Sequence, residues 1–169
     1  MSAANQDTDQ INSKISAEQL LLRLLELIKS SETIQDFTPE RMGEAMKVKA
    51  QTFGPGHFGY GVALTRDWSY ALEVNEKGIS GSRLDLEFID RKSTKDSPAT
   101  DICKIDFNRF ASALETAGFK QQPLYGEHGE IVFHRFDRPG LSITVATRGE
   151  ADEPIEKISH ACVRLVTVQ

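Results

Sequence analysis

Apolar residues in the first third of the chain recur with helical spacing. Leu20, Leu21, Leu24, Leu25 and Ile28 make one wide face, and Glu18, Arg23, Glu26 and Lys29 lie on the other, which is the pattern of an amphipathic helix. Ser16, with Gln19 three residues on, forms a capping box that sets its start. A second helix is predicted over "FTPERMGEAMKV", residues 37–48. Thr38 is its N-cap, Pro39 takes the first helical position, and Phe37 can staple to Met42 across the cap. A third lies in "IDFNRFASALETAGF", residues 105–119. Asp106 caps it, Ile105 can staple to Phe110, and Phe107, Phe110, Ala111 and Leu114 form its apolar stripe. Gly118 ends it as a C′ glycine.

Elsewhere the period is two. Phe58, Tyr60, Val62 and Leu64 share a face, with Gly59, Gly61 and Ala63 opposite. Tyr70, Leu72 and Val74 follow after a turn at Arg66-Asp67. The segment "NEKG" reads as a turn into a long strand. In that strand Leu84, Leu86 and Phe88 point inward and Arg83, Asp85 and Glu87 outward. Residues 91–100, "RKSTKDSPAT", form a polar loop. Strands "FKQQPLYG", "EIVFHRFD" and "LSITVATR" come next, with Pro139-Gly140 central to a type II turn. An acidic loop, "GEADEP", precedes a closing strand, "KISHACVRLVTV".

Short turns between consecutive strands imply antiparallel pairing. Helices segregated from runs of strands imply an α+β fold. The expectation is an antiparallel β-sheet of about seven to eight strands with about three helices packed on it. A helix followed by four strands occurs over 39–90 and again over 106–168, which suggests an α-β-β-β-β duplication. Residues 1–15 are expected to form a polar tail or tether. Residues 16–169 are expected to form a single domain, with possible halves 16–90 and 101–169 joined by the loop 91–100.

Composition narrows the class. Of the 169 residues, 39% are hydrophobic and 27% charged, so the chain can bury a core without needing metal or disulfides. The net charge is −5, and no Lys/Arg stripe interleaves with aromatics, so no nucleic-acid partner is expected. The longest apolar run, Leu20 to Ile28, is broken by Arg23 and Glu26, so no membrane span is expected. The polar leader lacks the apolar core of a signal peptide. It suits either a frayed cytoplasmic start or a tether left after signal removal. The working expectation is a periplasmic protein, with a cytoplasmic one as the alternative.

Cys103 and Cys162 both fall in segments read as strands. Two buried thiols are the plain expectation; the alternative is one disulfide worth about 4 kcal/mol in the loop-entropy account. Residues 53–61, "FGPGHFGYG", fit the letters G-x-G-x-x-G. A dinucleotide fingerprint needs a helix after the glycines, and here a strand pattern follows, with Pro55 removing an N–H. The glycines are read as serving a hairpin turn and close backbone packing. His160 and Cys162 share a strand face, and with Cys103 they resemble a metal set only loosely. His134 and Asp137 in "HRFDR" lack a nucleophile beside them. Asp85 and Glu87 sit on a polar strand face. No cofactor and no metal is expected.

What remains is a surface. Trp68 and Tyr125 are read as turn aromatics of the kind interfaces favour. Glu127, Glu130, Glu150, Asp152 and Glu153 lie in acidic loops that suit a basic protein partner. The expected function is a non-catalytic protein-binding module of inhibitor or immunity type, using loops at one end of the sheet. A carrier of a small apolar ligand or lipid, with a cavity between sheet and helices, is the alternative, and a hydrolase-like enzyme a more distant one. An open edge strand offers a route to a homodimer.

Overall fold

The computed structural model describes residues 15–78, 81–125, 131–149 and 161–169. Three α-helices stand where the apolar stripes place them: α1 (Ala17–Lys29), α2 (Pro39–Met46) and α3 (Phe107–Thr116). The capping box of α1 is closed in both directions, with Gln19 N–H donating to Ser16 Oγ and Ser16 N–H to Gln19 Oε1. Thr38 Oγ1 accepts from Arg41 N–H and Asp106 Oδ1 from Arg109 N–H. Each cap satisfies a donor that has no partner inside its helix. Past α3, Gly118 takes φ +95°, the left-handed conformation that glycine adopts without a Cβ penalty.

Eight strands follow: β1 (Gln51–Gly54), β2 (His57–Ala63), β3 (Trp68–Gly78), β4 (Gly81–Asp90), β5 (Lys120–Tyr125), β6 (Ile131–Arg138), β7 (Leu141–Gly149) and β8 (Ala161–Val168). They form one sheet in the order β1-β2-β3-β4-β8-β7-β6-β5, with every neighbouring pair antiparallel. The fold is α+β. Each run of four strands is a meander, and the two meanders meet where β4 pairs with β8. The segment 75–78, expected as a turn, still belongs to β3. The glycine-rich stretch is the β1–β2 hairpin, and a strand occupies the place where a dinucleotide site needs a helix. At Gly59 an added Cβ would press on the backbone of Leu72 and Glu73 in β3, so the glycine permits close strand approach.

Register carries one residue parity to the helical side across the whole sheet. Val74, Leu84, Val168, Ile143 and Phe136 form one cross-strand row. Leu72, Leu86, Val166 and Val145 form the next. All of these are buried, together with Leu20, Leu24 and Ile28 of α1, Met42 and Met46 of α2, and Phe110 and Leu114 of α3. Such continuous burial is the main favourable term in folding. The opposite parity, with Glu73, Asp85, Glu87, Thr144 and Arg135, is half-buried or exposed, as is usual for an antiparallel sheet covered on one face. No helix among the described residues is long and apolar enough to cross a membrane.

Candidate functional site

The antiparallel register divides the sheet into two unlike ends. At one end the connections are tight, at Pro55-Gly56 and Pro139-Gly140, with Gly140 at φ +89° as the predicted type II turn requires. At the other end β3, β6 and β8 begin and β4, β5 and β7 finish. Thus Trp68 pairs with Asp90, Tyr125 with Ile131, and Gly149 with Ala161. The longer connections all leave from this second end.

One of them, residues 91–98, is fastened to the sheet by a buried charge cluster. Asp90 ends β4 and is 6% exposed, and Ser97 is fully buried. Asp90 Oδ1 accepts from Ser97 Oγ at 2.6 Å and Lys92 N–H at 2.9 Å, and Oδ2 accepts from Ser97 N–H at 2.9 Å. Arg148, from β7, donates Nη1 to Asp90 Oδ2 at 3.4 Å and Nη2 to Ser97 O at 2.7 Å. Lys95 Nζ donates to Asp90 O at 2.8 Å. Burial alone would raise the Asp90 carboxyl. Hydrogen bonds from Ser97, Lys92 and Arg148 outweigh it and hold the group well below the usual carboxylate range. Residues 91–98 of the segment read as an internal linker are therefore tied down at both ends, and Ala99 near its far end enters the core together with Ile102 beyond it.

Trp68 belongs to this cluster and not to the surface. It is 1% exposed, its Nε1–H donates to Pro98 O at 2.9 Å, and the Arg148 guanidinium lies 5.0 Å from its ring centre. The expectation of an exposed anchor at Trp68 is thus corrected. Residues 68, 70, 72 and 74 share the inward parity of β3, and that alternation was the available signal. Tyr125 is the last residue of β5 and pairs with Ile131, so its backbone is strand and not turn. Glu127, Glu130, Glu150, Asp152 and Glu153 lie outside the described residues, as do His128 and His160. Their flanking residues do not: both acidic segments depart from the end that also carries the 91–98 strap. In sequence, 126–130 and 150–160 hold six carboxylates against one lysine, a surplus equal to the net charge of the whole chain.

The cysteines form a disulfide, Cys103–Cys162, across a separation of 59 residues, which corrects the expectation of two free thiols. Cys103 follows a short 3₁₀ turn (Ala99–Ile102) and is not in a strand. Cys162 lies in β8, where it also forms a bridge with Asp106. With both sulfurs bonded to each other, neither is available as a thiolate ligand beside His160.

His134 and Asp137 lie on opposite faces of β6. His134 stacks on Phe107 with ring centres 4.0 Å apart and accepts from Gln121 Nε2 at Nδ1, and burial lowers its basicity. Asp137 faces outward to Arg135 and Ser142. Arg138, the last residue of the same segment, turns inward. It donates to Ala117 O at the end of α3 and to Ile28 O and Ser31 O at the end of α1, and lies 4.5 Å over Phe119. It thereby completes two helix C-termini at once. Asp85 is bonded by Arg83 and Thr167 on the open sheet face. Among the described residues, no three His, Cys, Asp or Glu side chains gather as a metal site.

A cleft of about 420 Å³ opens between the start of α1 and the β2–β3 turn, with Leu64, Thr65, Trp68, Ile102 and Lys104 in its wall. Of large apolar side chains among the described residues, Phe53 on the edge strand β1 is 52% exposed and leans on His57, with ring centres 5.1 Å apart. A bulge between Thr52 and Gly54 interrupts the β1–β2 ladder at that point. At the other edge, Lys120 and Pro123 lie within β5. Both edges thus carry devices that discourage strand addition. Comparisons with protein-family models, curated proteins and solved structures found no match to this chain.

Proposed function

We propose that the chain is a non-catalytic protein-binding module of inhibitor or immunity type, which engages a basic partner through the loop-bearing end of its sheet. The observation that carries this reading is the register of β5–β8. It brings the flanks of two strongly acidic segments to one end of a rigid scaffold. Clustered charge of one sign speeds encounter with an oppositely charged partner and rejects like-charged ones. Binding residues are commonly loops held by such a scaffold. Tyr125, Glu127, Glu130, Glu150, Asp152 and Glu153 are the proposed contacts.

The carrier reading is disfavoured by packing. Leu72, Leu86, Phe110, Phe136, Val145 and Val166 are fully buried, and none of them lines the cleft of about 420 Å³, so the layer where a carrier would hold its ligand is closed to solvent. The disulfide supports the periplasmic reading, because such bonds persist in oxidising compartments.

The test is capture of the partner with immobilised protein, followed by affinity measurement across a salt series. Substituting Glu150→Gln, Asp152→Asn and Glu153→Gln together is expected to weaken binding about tenfold at low salt and to flatten the salt dependence. Binding that ignores both salt and these substitutions overturns the proposal.

A further inference from the structure

The strap 91–96 is exposed along its whole length, yet it is held by a buried polar cluster, one of the few among the described residues. Asp90 and Ser97 account for two of the three buried polar residues among those described. Burying a carboxylate and a hydroxyl costs stability unless every bond is made, and here the bonds are spent on fixing the strap's course. Lys95 has a left-handed backbone, φ +58°, a conformation that strains a side chain other than glycine or asparagine. The strap is also joined to the β2–β3 turn: Arg91 N–H donates to Asp67 O at 2.8 Å and Arg91 Nη1 to Thr65 O at 3.0 Å. That junction sets exposed Arg91 and Lys92 beside exposed Arg66. Asp67 and Asp96 lie in the same segments, and Asp96 accepts from Thr94 Oγ1 at 2.5 Å. The surface stays cationic in a chain whose net charge is −5.

We infer that this strap is a preformed docking loop for an acidic segment of a protein partner, with Arg66, Arg91 and Lys92 as the contacting cations. A loop fixed before binding loses little conformational entropy on association, and Arg pairs with carboxylates through two parallel hydrogen bonds. The inference rests on the reading of the chain as a protein-binding module and adds a second feature to the partner, a carboxylate cluster beside its basic region.

A fluorescein-labelled oligoglutamate peptide is the probe, followed by anisotropy at low and at physiological salt. The full chain is expected to bind it at low salt. Arg66→Gln, Arg91→Gln and Lys92→Gln together should weaken binding about tenfold. Ser97→Ala keeps all three cations but loosens the strap, and should weaken it about threefold. Near-ultraviolet circular dichroism of Trp68 checks that the fold persists in each variant. Absence of binding, or equal binding by the triple variant, overturns the docking loop. Loss in the triple variant with none in Ser97→Ala overturns the claim that the loop is preformed. Partner capture that succeeds while the peptide fails removes this inference alone, and leaves the module reading standing.

Discussion

Asp90 shows what a single residue contributes here. Its carboxylate is answered by Ser97, Lys92 and Arg148, so the ionised form is far better held in the native state than in water. A carboxyl with a lowered native pKa adds stability that is fully present above the unfolded value, near 4, and lost as pH falls toward the native one. His134 works in the same direction at milder pH. Its neutral form is favoured by burial, so protonation below about 6.5 favours unfolding. Stability should therefore fall in two stages as the solution is acidified. Asp90→Asn is expected to cost about 3 kcal/mol near neutrality, because it leaves Arg148 without its buried counter-charge. It should also shrink the more acidic stage, to which Asp36 and Asp137, likewise lowered by their hydrogen bonds, still contribute. Urea unfolding at a series of pH values measures both effects, and an unchanged acid limb in Asp90→Asn contradicts the assignment. In sequence Asp90 is one more polar residue at a strand end; alternation with Leu84, Leu86 and Phe88 puts it on the inward face, but nothing local shows what neutralises it there, since Ser97 and Arg148 come from distant positions.

At the scale of elements, the best-read features are those whose cause is local. The caps at Ser16, Thr38 and Asp106 lie within three residues of the donors they satisfy. The inward strand residues follow from alternation alone, and by the same rule Trp68 belongs with Tyr70, Leu72 and Val74. Features joining distant elements escaped that reading. Arg138 reaches the ends of α1 and α3 from a hairpin 107 or more residues beyond α1. The disulfide joins the 3₁₀ turn before α3 to β8. It closes a loop of 59 residues, and its removal in Cys103→Ala/Cys162→Ala is expected to cost about 4 kcal/mol. The fold should survive at moderate temperature, with a lower midpoint on thermal unfolding. An unchanged midpoint would mean that the bridge restrains little in the unfolded chain.

For the molecule as a whole, the joint between the two meanders decides behaviour. β4 and β8 pair over Leu84–Glu87 and Leu165–Val168, and α1 contributes to the same buried cluster as strands of both meanders. Separating the halves would open that core, so unfolding is expected to be a single cooperative transition. Calorimetric and van't Hoff enthalpies should agree, and two resolved transitions would show that the halves unfold independently. The same joint sets β4 beside β8 and thereby brings the strap 91–98 to the end from which the acidic segments leave. The candidate surface is thus a product of strand order. Its separate pieces were legible as a polar loop and two acidic loops, but that their flanks leave from one end of the sheet was not.

From sequence alone, the three helices, the alternating strand faces, the turn glycines and the α+β class follow. Each depends on interactions within a few residues, where periodicity, capping and backbone preference act directly. Strand order, the pairing of Cys103 with Cys162, and the partners that Asp90, Arg138 and Arg148 find inside were decided only by tertiary structure. An alternating strand fits equally well beside any neighbour that buries its apolar face. Only the joint closing of one core over all eight strands selects a single arrangement, and with it the charged residues that find partners inside.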